Sequence, residues 1–403
     1  MRDALIDEQE RVDPALEQLA AAEVLAVDTE FLWERTYLPT LALVQVAGRV
    51  GEDLVAFAFD PLAVELTGLY ELLAQPQRLK VFHAGRIDLE LLNARLPQPL
   101  TPVYDTQVAA ALAGFGSQVG YANLVEVMLG ETLGKAEQYA DWTRRPLRPA
   151  QLDYALLDVL PLLEVHARLE ARLVELSRRQ WLDEELAALS DPETYVQPQP
   201  RERYLKVKGR RGLDRRSLGV LRELAAWREQ EAERRDVRPS FVIKDQALLD
   251  IARRAPRNQR ELEHVRGLHG RELQRSGRAI IKAIDRARKL PESELPERAR
   301  RQGAKQRVGA VVDLLRAYLH QRSEELGVAV ETITTTSELE RLARDGERER
   351  YAADHPLLQG WRRALVGEDL LRILRGELRL AVDPEEQRLR LDGPGAAREG
   401  DAP

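Results

Sequence analysis

The sequence predicts an α/β domain, with a mixed sheet flanked by helices, followed by two small all-α domains. Three observations carry this. Apolar runs of strand length crowd together before residue 84 and then alternate with helical spacing. Beyond about residue 100, apolar residues recur almost only at helical spacing. The chain has 403 residues, more than one ordinary domain holds, and at 44% hydrophobic it can fill separate cores.

The elements follow in order. Val24–Val27 is an apolar run ending in Asp28, and Ala42–Ala47 and Leu54–Phe59 are two further strand-like runs. Leu66–Leu73 has helical spacing, Leu79–His83 reads as a strand and Asp88–Leu96 as a helix. Three neighbouring strands followed by helix–strand alternation imply a mixed sheet with helices on both faces. Thr106–Ala113, Tyr121–Leu129 and Pro149–Leu176 then read as helices, Asp191-Pro192 closes the region and Gln197–Pro200 reads as linker. Helical patterns resume at Arg216–Arg234, Lys244–Arg254, Gln259–Val265 and His269–Arg288, and a last helical block runs from Gln306 to Val382. The expected domains are therefore 1–190, a basic linker 191–211, a first helical domain 212–290, a linker 291–304, a second helical domain 305–382 and a disordered polar tail 383–403. The two helical blocks are similar in length and could be related copies.

Composition excludes several chemistries. There are no cysteines, hence no disulfide framework, thiol nucleophile or Cys-bearing zinc site. No apolar run reaches the 18 or so residues of a membrane span, and the first ten residues lack an apolar signal core. A soluble, cytoplasmic monomer is expected. The net charge of −6 hides an uneven distribution. Residues 1–200 carry 16 basic and 32 acidic side chains, whereas residues 201–300 carry 28 basic and 16 acidic ones. From Arg201 to Arg216 there are eight basic residues and two acidic ones. An acidic first half and a basic middle suggest a division of labour in which the middle touches nucleic acid.

Three acidic spots stand out. Asp28-Thr29-Glu30 follows a strand, and residues two apart on an extended chain face the same way, so both carboxylates converge and repel unless a cation sits between them. Asp88 follows a strand and a Gly turn, in the first turn of a helix. Tyr154 and Asp158 share one helix face at i, i+4. Taken singly, each has an ordinary reading as a solvated turn, a helix-dipole partner or a polar stripe. His83, His166 and Trp142 read as core or turn residues, Asp105 as a helix cap, and His269 as part of a helix-capping turn.

Together the three spots resemble the signature of the DEDD exonucleases, tyrosine variety, which have a ribonuclease-H-like fold, and within them the ribonuclease D family. Asp28-Thr29-Glu30-Phe31 with Arg35-Thr36-Tyr37-Leu38-Pro39 looks like the first motif, Phe82-His83-Ala84-Gly85 with Asp88-Leu89-Glu90 like the second, and Tyr154-Ala155-Leu156-Leu157-Asp158-Val159 like the third. Tyr104-Asp105-Thr106-Gln107 and Asp141-Trp142-Thr143-Arg144-Arg145-Pro146-Leu147 match further family segments. Arg216–Ala287 resembles an HRDC domain, and residues 306–382, with Gly360-Trp361-Arg362-Arg363, resemble a second, less specifically.

The resemblance implies a 3′→5′ exoribonuclease that trims tRNA precursors and other structured RNAs with single-stranded 3′ ends, releasing nucleoside 5′-monophosphates. It implies two divalent metal ions, roughly 3.5–4 Å apart, and an all-carboxylate site favours Mg²⁺ or Mn²⁺. Asp28 would bridge both ions, Glu30 and Asp158 would hold the ion that activates water, and Asp88 would serve the ion at the leaving group. Tyr154 would orient water. Arg201, Arg203, Lys206, Lys208, Arg210 and Arg211 are the candidate RNA contacts. A DNA exonuclease with the same chemistry, or a silent nucleic-acid-binding scaffold, are the alternatives. Because all four carboxylates precede residue 190, the first domain is expected to fold alone.

Overall fold

The computed structural model describes residues 2–33, 36–96, 98–134, 136–195, 198–268, 270–298, 308–345 and 355–393. Among them, six strands form a mixed sheet in the order β1-β4-β3-β2-β5-β6: β1 (Leu5–Ile6), β2 (Val24–Leu32), β3 (Thr40–Val50), β4 (Asp53–Phe59), β5 (Leu79–Phe82) and β6 (Val103–Asp105). β2, β3 and β4 are antiparallel, β5 and β6 run parallel to β2, and β1 runs parallel to β4. β1 and β6 go beyond the sequence expectation because two and three residues are too few to show a period. β2 also runs further than Val24–Val27 and carries the acidic pair within it, because pairing with β3 supplies the ladder that propensity alone does not. The β2–β3 register slips between Glu30 and Phe31, a bulge just past the acids.

One face of the sheet is covered by α1 (Val12–Leu19), α2 (Thr67–Leu73) and α3 (Arg86–Asn93), packed on Leu25, Val27, Val44 and Val46. The other face is covered by α4 (Thr106–Ala113), α5 (Tyr121–Leu129), α6 (Pro149–Leu157), α7 (Leu160–Glu175) and α8 (Arg179–Ser190). The expected helix over 149–176 is two helices. Pro161 has no N–H to offer the carbonyl of Leu157 four residues earlier, so the ladder stops and Asp158 becomes the C-cap of α6. The hydroxyl of Tyr121 donates to the freed Leu157 carbonyl at 3.4 Å.

A separate helical domain follows: α9 (Arg215–Arg234), α10 (Pro239–Val242), α11 (Asp245–Arg254), α12 (Gln259–Leu262) and α13 (Gly270–Arg288), around Leu221, Leu224, Leu248, Ile251, Ile280 and Ile284. The expected linker 191–211 is not free chain throughout. A 3₁₀ segment, Pro200–Lys206, lies against α9 because two buried acids there need cations. Arg201 lies 3.1 Å from Glu223, and Arg203 lies 3.8 Å from Glu229.

The last domain comprises α14 (Gly309–Leu326), α15 (Val330–Ile333), α16 (Thr336–Asp345), α17 (Gly360–Arg362), a π turn (Arg363–Gly367) and α18 (Glu368–Arg375). Its first three helices, long, four-residue and ten-residue, repeat the opening order of the preceding domain. The expected disordered tail from 383 instead completes a hairpin of β7 (Arg379–Asp383) and β8 (Arg388–Asp392), with Leu380 opposite Leu391 and Val382 opposite Leu389. Short alternating runs interleaved with arginine hide this pattern in the sequence. Residues 394–403 of that tail, 299–304 of the expected linker, and Arg35, Gln197 and His269 lie outside the described residues.

The first domain does not close on itself at residue 190. On α8, Leu182 and Leu186 are buried in one continuous core with Leu315, Leu319, Leu357 and Leu370 of the last domain. Trp181 stacks on Trp361 with ring centroids 5.0 Å apart, flanked by the guanidinium groups of Arg178 and Arg362. Trp361 Nε1 donates to Glu185 at 2.8 Å and its backbone N–H to Glu184 at 3.0 Å. The expectation of a free-standing first domain is corrected accordingly: cutting the chain at 190 would put this apolar face of α8 into water. Trp361→Ala should cost about 3–5 kcal/mol of stability, the range for truncating a buried Trp, read as a shift in the urea midpoint.

Candidate active site

β2 lies between β3 and β5, where the antiparallel half of the sheet meets the parallel half. Its two-residue period puts Asp28 and Glu30 on one face. The end of α6 delivers Asp158 to them, and ligand atoms of Asp28, Glu30 and Asp158 all lie within 4.8 Å of one another. Asp88 enters from the first turn of α3, buried, and accepts a hydrogen bond from the hydroxyl of Thr29, the residue between the two strand acids. Three of the four expected carboxylates thus form a tight cluster, and the fourth is held beside it, close enough to press on Asp28 and Glu30 electrostatically.

Burial, with Asp88, Asp158 and Glu30 nearby, holds the Asp28 carboxyl well above the usual carboxylate range. Burial and the charges of Asp158 and Asp88 push Glu30 up to about 9. Burial pushes Asp158 up to about 7, opposed by a hydrogen bond from the Tyr154 hydroxyl. Asp88 is raised by burial, with the Thr29 hydrogen bond opposing. The Tyr154 phenol is itself pushed up, by burial first and then by Asp158, Glu30 and Asp28, so it is a neutral donor at physiological pH. Buried carboxyls this close cannot all ionise unless a cation joins them. An all-oxygen, mutually repelling donor set fits hard divalent cations.

The surrounding segments hold the acids in place. Asp105 caps α4 through the N–H groups of Gln107 and Val108 and also accepts from those of Ala84 and Gly85, so it is fully engaged in shaping the turn before Asp88. Gly85 is required there: a Cβ would lie 2.4 Å from Cβ of Phe82. His83 has both ring nitrogens engaged, with Thr106 at 3.0 Å and the Val119 carbonyl at 3.1 Å. His166 packs edge-on against Tyr104. Trp142 is buried, 6.0 Å from the Tyr154 ring, and Arg145 anchors its segment to the buried Asp60 at 2.6 Å.

Two features escaped the sequence reading. Tyr121, read only as the start of a helix, lines a pocket of about 230 Å³ with Asn123, Gln138, Tyr154 and Asp158. Its recruitment depends on the Pro161 break, which leaves the Leu157 carbonyl open to it. A larger cleft, about 640 Å³, lies between the sheet domain and the first helical domain and is lined by Trp33, Tyr37, Arg95, Arg203, Lys206 and Arg238 among others. Tyr37 bridges it, its N–H donating to Asp236 at 3.1 Å and its hydroxyl to Glu229 at 3.2 Å. Of the six basic candidates, Arg201 and Arg203 are ion-paired, Arg210 is half-buried, and Lys206, Lys208 and Arg211 are exposed.

These pKa shifts have a thermodynamic consequence. With no cation bound, the native state keeps protons that the unfolded carboxyls, titrating near 4, have already lost. Stability of the metal-free protein should be greatest below about pH 4 as far as these groups contribute, and should fall as pH rises through 7 towards 9. Added Mg²⁺ or Mn²⁺ should abolish that fall. Melting temperatures across this range, with EDTA and with metal, check both statements.

Residues 4–174 match the 3′-5′ exonuclease family and residues 217–284 the HRDC domain family. The chain is 41% identical to the ribonuclease D of Granulibacter bethesdensis over 390 residues, 96% of each chain, and 38% identical to that of Acidiphilium cryptum over 94% of each. The crystal structure of Escherichia coli RNase D, an exoribonuclease involved in structured RNA processing, matches 92% of this chain and 98% of its own at 28% identity, with a TM-score of 0.80. With its carboxylates on the central strand and on α3 and α6, the chain belongs to the ribonuclease D family of 3′→5′ exoribonucleases.

Proposed function

We propose that this enzyme trims the single-stranded 3′ ends of tRNA precursors and other structured RNAs, releasing nucleoside 5′-monophosphates, and that it does so with two divalent ions, Mg²⁺ or Mn²⁺. The observation that carries this reading is the cluster of Asp28, Glu30 and Asp158 within 4.8 Å, with Asp88 alongside. Asp28 would hold both ions, Glu30 and Asp158 one, and Asp88 the other. Bound there, the ions supply an activated water and offset charge on the leaving oxygen. Tyr154, protonated and donating to Asp158, offers its phenolic oxygen as the acceptor that orients the attacking water. The Tyr121 pocket, bordering Tyr154 and Asp158, takes the terminal nucleoside.

The interdomain cleft suits the strand upstream of the cut. Trp33 and Tyr37 offer stacking faces, and Lys206 and Arg238 offer charge to phosphates. Lys208, Arg210 and Arg211 extend that charge, whereas Arg201 and Arg203 chiefly hold the segment to the first helical domain. The repeated element order supports a second HRDC-like domain at the C-terminal end. We place the enzyme in the cytoplasm as a monomer; no helix among the described residues is long and apolar enough to cross a membrane.

Digestion of end-labelled tRNA precursors tests the activity. A 5′ label should shorten stepwise, a 3′ label should leave at once as a mononucleotide, and a deoxyribose 3′ end should be removed more slowly. Asp28→Asn should abolish turnover while leaving RNA binding nearly intact; retention of a tenth of wild-type activity would overturn the assignment. Tyr154→Phe should lower kcat by about 10²–10³-fold, the range for losing one oriented catalytic group, with KM little changed.

A further inference from the structure

Gln45 sits in β3 directly opposite Asp28 in the antiparallel pair. Opposed residues of such a pair send their side chains out of the same face of the sheet, with Cβ atoms about 4.5–5.5 Å apart. The Gln45 amide therefore leaves the sheet beside the Asp28 carboxylate. On its other flank β4 presents only Ala58, and Leu43 and Ala47 share the face along β3 itself. Ala58 and Leu43 pack under Trp142 and under Leu152, Ala155 and Leu156 of α6.

Gln45 is fully buried, and neither Nε2 nor Oε1 has a hydrogen-bond partner. Among the described residues it is the one side chain with two buried polar atoms left without a partner. A methionine would fill the same space among alanine, leucine and tryptophan without stranding an amide, so packing gives no reason for glutamine here. The nearest use for it is across the strand. Carboxylates that ligate metals are themselves held by outer hydrogen bonds, and Asp28 accepts one from the Thr29 backbone.

We propose that Gln45 is a positioning residue for Asp28: in the metal-bound enzyme its Nε2–H group donates to the Asp28 carboxylate and fixes which oxygens face the ions. The proposal rests on the reading of Asp28 as a metal ligand. It accounts for a buried amide to which the described residues give no partner.

The test compares Gln45→Met, and Gln45→Leu should the first fail to fold, with wild type and with Asp28→Asn. Three properties are measured: melting temperature in EDTA, Mn²⁺ affinity by calorimetry and electron paramagnetic resonance, and kcat and KM on a single-stranded RNA. The expected Gln45→Met protein melts without metal at or above the wild-type temperature, binds Mn²⁺ about 10–100-fold more weakly, and loses kcat with KM unchanged. Wild-type Mn²⁺ affinity and kcat would make Gln45 a core residue and nothing more. A metal-free variant that melts well below wild type would show the amide already satisfied within the fold, which also overturns the proposal. Wild-type Mn²⁺ affinity in Asp28→Asn would remove the metal role of Asp28 itself, and the proposal with it.

Discussion

Carboxyl groups held out of water within reach of one another repel, and the rest of this fold is arranged to keep Asp28, Glu30, Asp158 and Asp88 together in spite of that. No flexible loop could do it, because the acids would drift apart into solvent. Two of them are therefore fixed on the central strand, where β3 and β5 pair on either side. The third hangs from a helix end that Pro161 creates, and the fourth from a helix whose entry turn is tied to Asp105. A divalent cation bound here would relieve the repulsion among the ionised acids, and because it must displace the protons they otherwise keep, its affinity should rise with pH.

The acids also bear on how an RNA strand can approach them. A nucleic acid strand is an anion, and the first half of the chain carries twice as many acidic as basic side chains. The first helical domain brings the compensating charge to the edge of the catalytic domain, and Tyr37, just past the first acidic motif, is bonded directly to Asp236 and Glu229 of that domain. Part of the basic excess is already ion-paired within the domain. Arg201 and Arg203 neutralise buried glutamates, so net charge by residue range overstates the charge available to phosphate. The last domain has a different relation to the catalytic one. It shares a core with α7 and α8 and locks onto them through the Trp181–Trp361 stack, which makes it part of the scaffold behind the site.

Much of this was legible in the residues. The four acids and Tyr154 stand in segments whose order and spacing carry the resemblance, and the strands and helices around them have clear apolar periods. What was not legible depends on a pairing partner outside the segment itself, distant in most cases and close by in the C-terminal hairpin. β1 and β6 exist only because β4 and β5 offer them an edge. The 379–392 hairpin pairs two runs that look merely polar and apolar by turns. Tyr121 and Gln45 are unremarkable in their own segments, and each acquires its place through a partner, the Leu157 carbonyl in one case and the strand carrying Asp28 in the other.

By itself the sequence determined the chemistry available: oxygen donors without thiols, a tyrosine at helical spacing from the last acid, and a catalytic half set apart from a basic middle. Period and spacing are local properties, so they survive in the linear chain. The break of the helix over 149–176 is written locally in Pro161; only the tertiary structure decided that three carboxylates meet within 4.8 Å while Asp88 turns to Thr29, and that the last domain is fused to the first. Distances between elements, and the burial that follows from them, arise when the sheet and its helices close over a common core, and no single segment encodes them.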